Sequence, residues 1–391
     1  MPDAITASNA LTARWAATCD GTSSVLSGLG VWPLLALLVD AADGPARSEL
    51  AVAAGTGTGT GTEQGADAAR GLVDLLGEAP AIHAALGLWT HRDLPLNEPW
   101  VRSLPDATHE LLSGDLVADK DALDAWASKH TNELIRKMPV TLTADVLLVL
   151  ASALAVRTTW PKAFTDGPHR VAAGPWAGRT IAALSRTSPD VDQVAVTATD
   201  NGPLTTVRVA GSDDIDVHLL LGEPNRSAGD IITAGIRAVT EPAPLSTGAQ
   251  WAPGDWPGPG IAIRHSASLA RPSLLLHACR FTVRASHDLL KRAELFGLRS
   301  ATDTSRGHFP GISPQPLAIS QARQDAVAIF SATGFEAAAV TAISMVASGM
   351  VRAEGATLVE VTFDRPFGFL AVHRPSRLVL VAGWVAEPEP A

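Results

Sequence analysis

The run from Gly334 to Ile343, Gly-Phe-Glu-Ala-Ala-Ala-Val-Thr-Ala-Ile, constrains the fold more than any other part of this 391-residue chain. Its side chains are mostly small, and small side chains meet little steric resistance. The segment can therefore remain a mobile loop or enter a tight β-sheet. In a sheet, strand alternation would divide the run between two faces. One face would carry Phe335, Ala337, Ala339 and Thr341, and the other Glu336, Ala338, Val340 and Ala342.

The order of the periodic segments indicates the fold class. Helical spacing of apolar residues comes early in the chain, whereas strand-like runs dominate beyond residue 317. Leu147–Val156 is a continuous apolar run of strand length, which is typical of a strand buried on both faces. No repeat period is present. The pattern predicts one large α+β domain over residues 1–391 rather than a parallel doubly wound sheet.

Several segments give local predictions. The spacing predicts a helix over Asp121–Met138, a broken helix pair over Pro99–Leu112 and a strand over Leu317–Ile319. The Gly-Thr repeat at residues 55–62 invites a phosphate-loop interpretation, but it lacks a Gly-Lys-Ser/Thr ending and a preceding strand. We therefore predict a flexible low-complexity loop there. The Pro/Gly-rich residues 253–260 predict a connector.

Composition argues against several classes of function. The net charge of -10 disfavours a nucleic-acid partner or a heparin-type polyanion, because both need a basic surface. Cys19 and Cys279 could form one disulfide, but we favour two reduced thiols. No zinc-ligand spacing is present, so we expect no metal and no cofactor. The apolar runs are too short to span a bilayer, and we expect no membrane partner.

The N-terminal segment shows no basic region followed by an apolar stretch, so no signal peptide is visible. This predicts a cytoplasmic protein. Lysine is scarce while Ala, Gly, Val, Asp and Arg are abundant, a composition that resembles the products of a GC-rich bacterial genome.

A series of short motifs follows in a consistent order along the chain. They are WASKHTNEL from Trp126, LVLASALAVRTTWPKAF from Leu148, Phe309–Ser313, Arg365–Phe367 and Val381–Val385. Together they resemble the serpins, the serine-protease-inhibitor superfamily, over nearly the whole chain. The resemblance implies a serpin fold of class α+β, with helices around a large central, mostly antiparallel β-sheet, two smaller sheets and an exposed reactive-centre loop. Together with the composition, it suggests a divergent member of bacterial type.

The resemblance also implies an inhibitor and not an enzyme. In serpins a target serine protease cuts the reactive-centre loop and becomes acyl-linked to it, and the loop then inserts into the main sheet. Here this loop corresponds to about residues 332–356, with a hinge made of Gly334, Phe335, Glu336, Ala337, Ala338, Ala339, Val340 and Thr341. Phe335 stands where the family has Thr or Ser, and its bulk could slow insertion. No catalytic residue is expected, because no nucleophile elbow or Ser-x-x-Lys set is present.

Serpins hold the opening of the main sheet, the shutter, closed with a polar network. The matching positions here are Ser27, Gly30, Ser152 and Gln324, and Trp160 belongs to the adjoining breach. Ser152 stands where the family has Asn. The changed shutter residues leave two interpretations open. Either other changes compensate for the different hydrogen bonds, or the loop no longer inserts.

The position of the cut bond also stays open. Counting forward from Gly334 by the family's usual spacing gives Ser348–Gly349, whereas counting back from Phe367 gives Arg352–Ala353. We rank Ser348 first, followed by Met350 and Arg352. Ser348 would favour an elastase-like or subtilisin-like target, Met350 a chymotrypsin-like or elastase-like one, and Arg352 a trypsin-like one with an acidic pocket.

Three functional hypotheses follow. The favoured one is inhibition of a serine-type endopeptidase of unknown identity by an expected monomer. The second is a non-inhibitory serpin that acts as a binding or carrier protein, which Phe335 and the altered shutter support. The third is a hydrolase with an unrecognised site. Secreted relatives keep an extracellular location open.

Overall fold

The computed structural model describes residues 2–56, 62–78, 82–105, 108–143, 146–241, 245–335 and 355–391. The α-helices in these residues are α1 (Pro2–Ala16), α2 (Trp32–Ala41), α3 (Gly44–Ala54), α4 (Thr62–Glu78), α5 (Glu98–Ser103), α6 (Leu116–His130), α7 (Ala228–Thr240) and α8 (Ala293–Phe296). The strands are β1 (Ser24–Leu26), β2 (Ile82–His91), β3 (His109–Leu112), β4 (Leu148–Val156), β5 (Thr158–Thr159), β6 (Thr165–Arg170), β7 (Thr180–Ser188), β8 (Val194–Thr199), β9 (Gly202–Ala210), β10 (Ile215–Leu221), β11 (Leu245–Thr247), β12 (Ile261–Ser266), β13 (Ser273–Cys279), β14 (Phe281–Asp288), β15 (Gln321–Phe330), β16 (Gly334–Phe335), β17 (Ala356–Thr362), β18 (Phe367–His373) and β19 (Leu378–Val385).

The chain divides into two compact units. The first comprises Met1–Trp15, Leu26–Val156 and Arg284–Val327. The second comprises Ala16–Val25, Arg157–Val283 and Ala328–Ala391.

The first unit is built around four strands in the order β3, β2, β4 and β15. The pairs β3–β2 and β4–β15 are parallel, and β2–β4 is antiparallel. Strand β4 is buried at every position, because both of its edges are paired and both of its faces carry apolar or small side chains. This confirms the strand predicted at residues 147–156. Helix α2 is apolar nearly all round, and nine of its ten residues are buried in the core of this unit.

The second unit contains two further sheets. One has seven strands in the order β1, β19, β18, β10, β9, β8 and β11, and the other has five in the order β12, β17, β13, β7 and β6. Strand β19 is fully buried, and β18 is buried except at His373. The third sheet reaches this unit at the end of β15, where β16 and β5 follow in order. The helices and three sheets of the described residues confirm the predicted α+β class.

The predicted helix over Asp121–Met138 is wrong in its second half, because α6 ends at His130. Thr131 explains the end of the helix. Its hydroxyl donates to the Ala127 carbonyl over 2.7 Å and accepts the Ile135 N–H over 3.0 Å, which replaces the helical pattern. The next two residues have left-handed φ values of 51° and 63°, which no α-helix permits.

Two other local predictions are also wrong. The segment Pro99–Leu112 contains one short helix, α5, followed by the strand β3, rather than a helix pair. The segment Leu317–Ile319 forms no strand, because its backbone hydrogen bonds join it to His308 and to Ala301 of a short 3-10 helix rather than to a ladder.

Two further sequence features have clear positions. Gly55 is the left-handed C-cap of α3 and Thr62 begins α4, whereas residues 57–61 of the Gly-Thr repeat lie outside the described residues. Cys19 and Cys279 form no disulfide, in agreement with the favoured reduced thiols. Burial raises the pKa of the Cys279 thiol to about 12, so this side chain is an unreactive part of the core.

Candidate functional site: the hinge hairpin and the central strand pair

Residues 330–335 form a tight turn at the end of β15, here called the hinge hairpin. Phe330 and Phe335 are register partners in an antiparallel pair. The Ser331 N–H donates to the Gly334 carbonyl over 2.9 Å, and the Ser331 hydroxyl donates to the same oxygen over 3.0 Å. The chain therefore reverses at the start of the segment that the serpin resemblance makes the reactive-centre loop.

The second edge of β16 is paired as well. Gly334 lies opposite Thr159 and Phe335 opposite Thr158, in an antiparallel register with β5. A Cβ atom on residue 334 would overlap the Thr158 carbonyl oxygen and crowd Thr159, so the close approach of the two backbones requires glycine. The first two hinge residues are thus a strand with partners on both sides.

The side chain of Phe335 lies in an aromatic cluster. It is fully buried, and its ring centroid is 6.2 Å from that of Phe369. Phe369 lies 4.9 Å from Phe281, which in turn stacks on Phe330 at 5.4 Å with an interplanar angle of 11°. Aromatic pairs in these geometries add to the stabilisation from burial. The bulk that sequence reasoning treats as an obstacle to insertion is therefore already accommodated.

The turn of the hinge hairpin is held from outside by the segment that follows β5. The Trp160 N–H donates to the Thr333 carbonyl over 2.9 Å, and the indole Nε1–H of Trp160 donates to the Ser331 carbonyl over 3.0 Å. The Phe164 N–H donates to the Ala332 carbonyl over 2.8 Å. These bonds fix the turn at three consecutive carbonyls, which places Trp160 at the hinge hairpin.

Further back along β15, Gln321–Val327 pairs directly and in parallel with Val149–Ala155 of β4. We call these two segments the central strand pair. Strand β4 is parallel to β15, whereas β16 is antiparallel to it. A strand that continued β16 between β4 and β15 would therefore be antiparallel to both neighbours.

A buried amide closes the central strand pair on one face. The Ser27 N–H donates to Gln324 Oε1 over 2.9 Å, and Gln324 Nε2 donates to the Ser27 carbonyl over 2.9 Å. Both residues are fully buried. The Gly30 N–H donates to the Ser27 hydroxyl over 3.2 Å. The Gln324 side chain thus pairs with the Ser27 backbone as a neighbouring strand would.

Ser152 and Gly30 both lie next to Gln324. Ser152 is the register partner of Gln324, but its Oγ atom has no hydrogen-bond partner within the described residues. A Cβ atom on residue 30 would overlap Ser152 Oγ and Gln324 Nε2, so glycine is required for the amide to fit. The sequence identified these four positions, but it gave no sign that Gln324 would bind backbone atoms.

Sequence reasoning missed one polar contact of the central strand pair. The connection from α6 to β4 touches the start of β15, where the Thr141 N–H donates to Gln321 Oε1 over 3.0 Å and Gln321 Nε2 donates back to the Thr141 carbonyl. Gln321 is partly exposed, unlike Gln324. The signal was the second amide side chain three residues before Gln324 on the same strand.

The remaining hinge and cut-site candidates lie outside the described residues. They are Glu336, Ala337, Ala338, Ala339, Val340, Thr341, Ser348, Gly349, Met350 and Arg352. The described chain resumes at Gly355, which has a left-handed φ of 86°, and continues directly into β17.

These features define an α+β protein in which β15 pairs in parallel with β4 and, at its end, antiparallel with β16. The sequence matches the serpin (serine protease inhibitor) family over residues 8–171 and 263–388, well over half of the chain, and the chain belongs to this family. No curated protein sequence gives a significant match.

Solved serpin structures share the fold. Thyroxine-binding globulin in complex with thyroxine aligns with a TM-score of 0.72 and 15% identity, over 99% of both chains. Native protease nexin-1 with heparin aligns with a TM-score of 0.71 and 17% identity, also over 99% of both chains. Serpin48 from the insect Tenebrio molitor aligns with a TM-score of 0.69 and 16% identity, over 98% of this chain and 97% of that chain. At these identities the likeness concerns the fold alone.

Within the described ranges, no helix combines the length and the apolar character that crossing a membrane requires. The same residues hold no group of three or more His, Cys, Asp or Glu side chains suited to a metal ion.

Proposed function

We propose that this serpin inhibits a serine-type endopeptidase by presenting its reactive-centre loop as a substrate and inserting the cut loop into the central strand pair. The observation that carries the proposal is the position of Gly334 and Phe335. These first two hinge residues already form β16, antiparallel to the end of β15. Insertion would extend a strand that exists rather than create a new one.

Strand directions support an energetic gain on insertion. The direct pairing of β4 with β15 is parallel over seven register positions. Insertion would replace this one parallel pairing with two antiparallel ones, which are slightly more stable for each residue and more numerous. The side chains that alternate with Phe335 toward the core would be Ala337, Ala339 and Thr341, which need little space.

Polar contacts support a barrier to insertion in the uncut protein. Gln324 binds both backbone groups of Ser27, and Gln321 binds both backbone groups of Thr141. Separating β4 from β15 would disturb the first contact inside the core, where an unpaired polar group is costly. The uncut form would therefore persist although a form with one more strand is lower in free energy.

Incubation with trypsin, chymotrypsin, elastase and subtilisin tests the proposal. An inhibitor gives a covalent protease–serpin complex that survives denaturing electrophoresis, and it releases a C-terminal peptide whose mass locates the cut bond. Protease that has been inactivated with an active-site reagent is the control, and it should give no complex. Cleavage by all four proteases without any complex would contradict the proposal.

The mass of the released peptide also separates the cut-site candidates. A peptide that begins at Gly349 identifies Ser348 as the acylated residue, and one that begins at Ala353 identifies Arg352. If Arg352 is used, Arg352→Ala loses the complex with trypsin and keeps any complex made through Ser348 or Met350. The matched variant Ser348→Ala should keep the complex with trypsin, because it leaves Arg352 in place.

A non-inhibitory binding or carrier serpin is the second candidate. The observation that favours it is the altered shutter, in which the buried Ser152 Oγ atom has no hydrogen-bond partner within the described residues. Thyroxine-binding globulin, one of the structural neighbours, is a protein that binds thyroxine. Cleavage that yields neither a complex nor a change in thermal stability would support this candidate.

The proposal also covers partners, oligomeric state, source and location. The net charge of -10 supports a protein without nucleic-acid, membrane or polyanion partners. We further propose a single-domain monomer, to be measured by light scattering, and a bacterial source, which composition supports. A cytoplasmic location, with an extracellular one as the alternative, is to be settled by fractionation of the source cells.

A further inference from the structure

One face of the five-stranded sheet in the second unit carries a cavity that the proposed function does not use. The cavity has a volume of about 420 Å³, which lies within the usual range for small-molecule sites. Strands β6, β7, β13 and β17 form its floor, and residues 171–173 and 363–364 form its walls. The floor and the walls all belong to the second unit.

The cavity exists because the middle of its floor lacks large side chains. Gly167 of β6 is the register partner of Ala183 of β7, and both residues line the cavity. A Cβ atom on residue 167 would meet nothing within 4 Å beyond its chain neighbours. Open space therefore begins directly above the backbone, and a larger side chain or a ligand can fill it.

A row of polar side chains crosses all four floor strands beside this open space. Thr165 of β6 pairs with Ser185 of β7, and Ser185 pairs with His277 of β13. His277 in turn pairs with Thr362 of β17. Register partners point to the same face of a sheet, and all four residues line the cavity. The row offers three hydroxyls and one imidazole to a polar group of a ligand.

The charged side chains of the cavity are acidic. Asp166, Glu360 and Asp364 line it, whereas no lysine or arginine is among its described lining residues. Each carboxylate pairs with an arginine outside the lining, yet the three side chains keep exposed fractions of 40%, 19% and 31%. The field in the cavity therefore favours a cation and disfavours an anion.

His277 adds no positive charge near neutral pH. Burial lowers its pKa below the ordinary value of 6.5, and the charges of His169 and Arg264 act in the same direction. The Nε2 atom of His277 lies 3.4 Å from Glu360 Oε1. A cationic head group at the polar row therefore meets a carboxylate and a neutral ring together.

Much of the remaining lining is apolar. Val171 and Ile181 are each 4% exposed and line the cavity together with neighbouring alanines. Ile181 is four residues from Ser185 on β7, which places it about 13 Å from the polar row at about 3.3 Å per residue. His169, the register partner of Ile181, is exposed at the rim. The cavity thus has a polar end and a largely apolar end.

The walls are held by contacts of their own, so the cavity is preformed. The Val171 N–H donates to the Arg179 carbonyl over 2.9 Å, and the Gly178 N–H donates to the Val171 carbonyl over 2.8 Å. On the other side, the Phe363 N–H donates to the His277 carbonyl over 2.9 Å. A preformed site requires little ordering of the protein when a ligand binds.

We propose that this cavity binds a small organic cation, namely a primary amine with an apolar body. The ammonium group lies at the polar row beside Glu360, and the apolar body covers Gly167 and Ala183. Charge complementarity selects the amine over an acid of the same shape, and the small floor residues leave room for the body. None of the lining residues belongs to the hinge hairpin or to the central strand pair, so the site is independent of protease inhibition.

Three probes of similar shape and different charge test the class of ligand. Phenethylamine, phenethyl alcohol and hydrocinnamate are titrated into uncut protein near neutral pH and followed by calorimetry and ligand-observed NMR. We expect saturable binding of the amine, binding of the alcohol that is weaker by about tenfold because its hydrogen bonds carry no charge, and no binding of the carboxylate. Equal affinity for the amine and the carboxylate, or no saturable binding of the amine at millimolar concentrations, would overturn the assignment.

Filling the cavity tests the location of the site. Gly167→Leu places a side chain in the open space, and Ala183→Leu fills the same row from β7. Thr187→Leu is the matched control, because Thr187 is exposed on the same face of β7 and does not line the cavity. We expect both filling variants to lose amine binding and the control to keep it, with melting temperatures as the check on folding. Undiminished amine binding in either folded filling variant would show that the amine binds elsewhere.

Removing one charge tests the head group. Glu360→Gln keeps the size of the side chain and removes its charge, and Glu387→Gln is the control, because Glu387 also pairs with an arginine but does not line the cavity. We expect the preference for the amine over the alcohol to fall several-fold in Glu360→Gln alone. An unchanged preference in that variant would contradict the position of the ammonium group. The titrations use uncut protein without protease, so a failure here leaves the proposed function untouched.

Discussion

The contact between Gln324 and Ser27 gives the most direct prediction about what keeps the central strand pair closed. Gln324→Met keeps the length and volume of the side chain and removes both hydrogen bonds to the Ser27 backbone. The Ser27 N–H and carbonyl then lose these partners in a fully buried place. Two lost hydrogen bonds of this kind, at about 1 to 2 kcal/mol each, lower the free energy of unfolding by about 3 kcal/mol.

This free energy converts to a measurable shift in melting temperature. An unfolding entropy of about 2.1 cal/mol/K per residue gives roughly 0.8 kcal/mol/K for the whole chain, so we expect a decrease of about 4 °C. The same change should also speed conversion of the uncut protein to a non-trapping form. Differential scanning calorimetry and a time course of protease trapping measure the two effects.

Gln321→Met is the matched control, since Gln321 makes the same pair of amide–backbone contacts at a partly exposed position of the same strand. Water replaces the lost partners there, so the expected decrease is about 1 kcal/mol or less. Equal decreases in melting temperature for the two variants would refute the argument that burial makes the Gln324 contact more stabilising than the Gln321 contact.

Three further predictions concern the hinge, the central strand pair and pH. Gly334→Ala places a methyl group against the Thr158 carbonyl. We expect the free energy of unfolding, measured with urea, to decrease by about 1 to 3 kcal/mol. An unchanged free energy would contradict the close approach of β16 and β5. The double variant Ala155→Cys/Val327→Cys can form a disulfide between register partners of β4 and β15. The oxidised protein should be cut by protease without forming a complex, and reduction should restore the complex. Protease trapping by the oxidised protein would contradict insertion between these strands. Burial lowers the pKa of His218 from 6.5 to about 4, so the unfolded chain takes up this proton at a higher pH than the folded chain does. The free energy of unfolding should therefore fall by up to about 3 kcal/mol as the pH drops from 6.5 to about 4. His218→Leu should remove this dependence, and a wild-type stability that does not change with pH would contradict it.

Long apolar runs were predictable because a strand buried on both faces leaves few alternatives. Strand β4 has such a sequence, and it lies within a residue of its predicted position. The end of α6 was not predictable from periodicity, because it depends on the Thr131 side chain competing for the backbone. Strand β3 was mistaken for helix because four residues with two leucines fit both periods.

In the candidate site, too, some features were predictable from the sequence and others were not. Alternation along the hinge groups Phe335 with Ala337, Ala339 and Thr341, and the Phe335 side chain is buried. The pairing of Gln324 with Ser27 joins residues 297 positions apart through backbone atoms, and no pattern of side chains reports such a contact. Strand β12 was not predicted, because the short pattern Ile261-Ala262-Ile263-Arg264 directly follows a Pro/Gly-rich segment that is typical of a connector.

The central claim is that the native fold has one strand fewer than its most stable arrangement. The melting temperature of the same sample, measured before and after a single cut between residues 336 and 354 and with the cut confirmed by mass, tests it most directly. We predict a large increase after the cut, because β4 and β15 would each gain an antiparallel neighbour. A melting temperature that stays the same or falls would contradict the account, because the freed segment would then add nothing to the sheet.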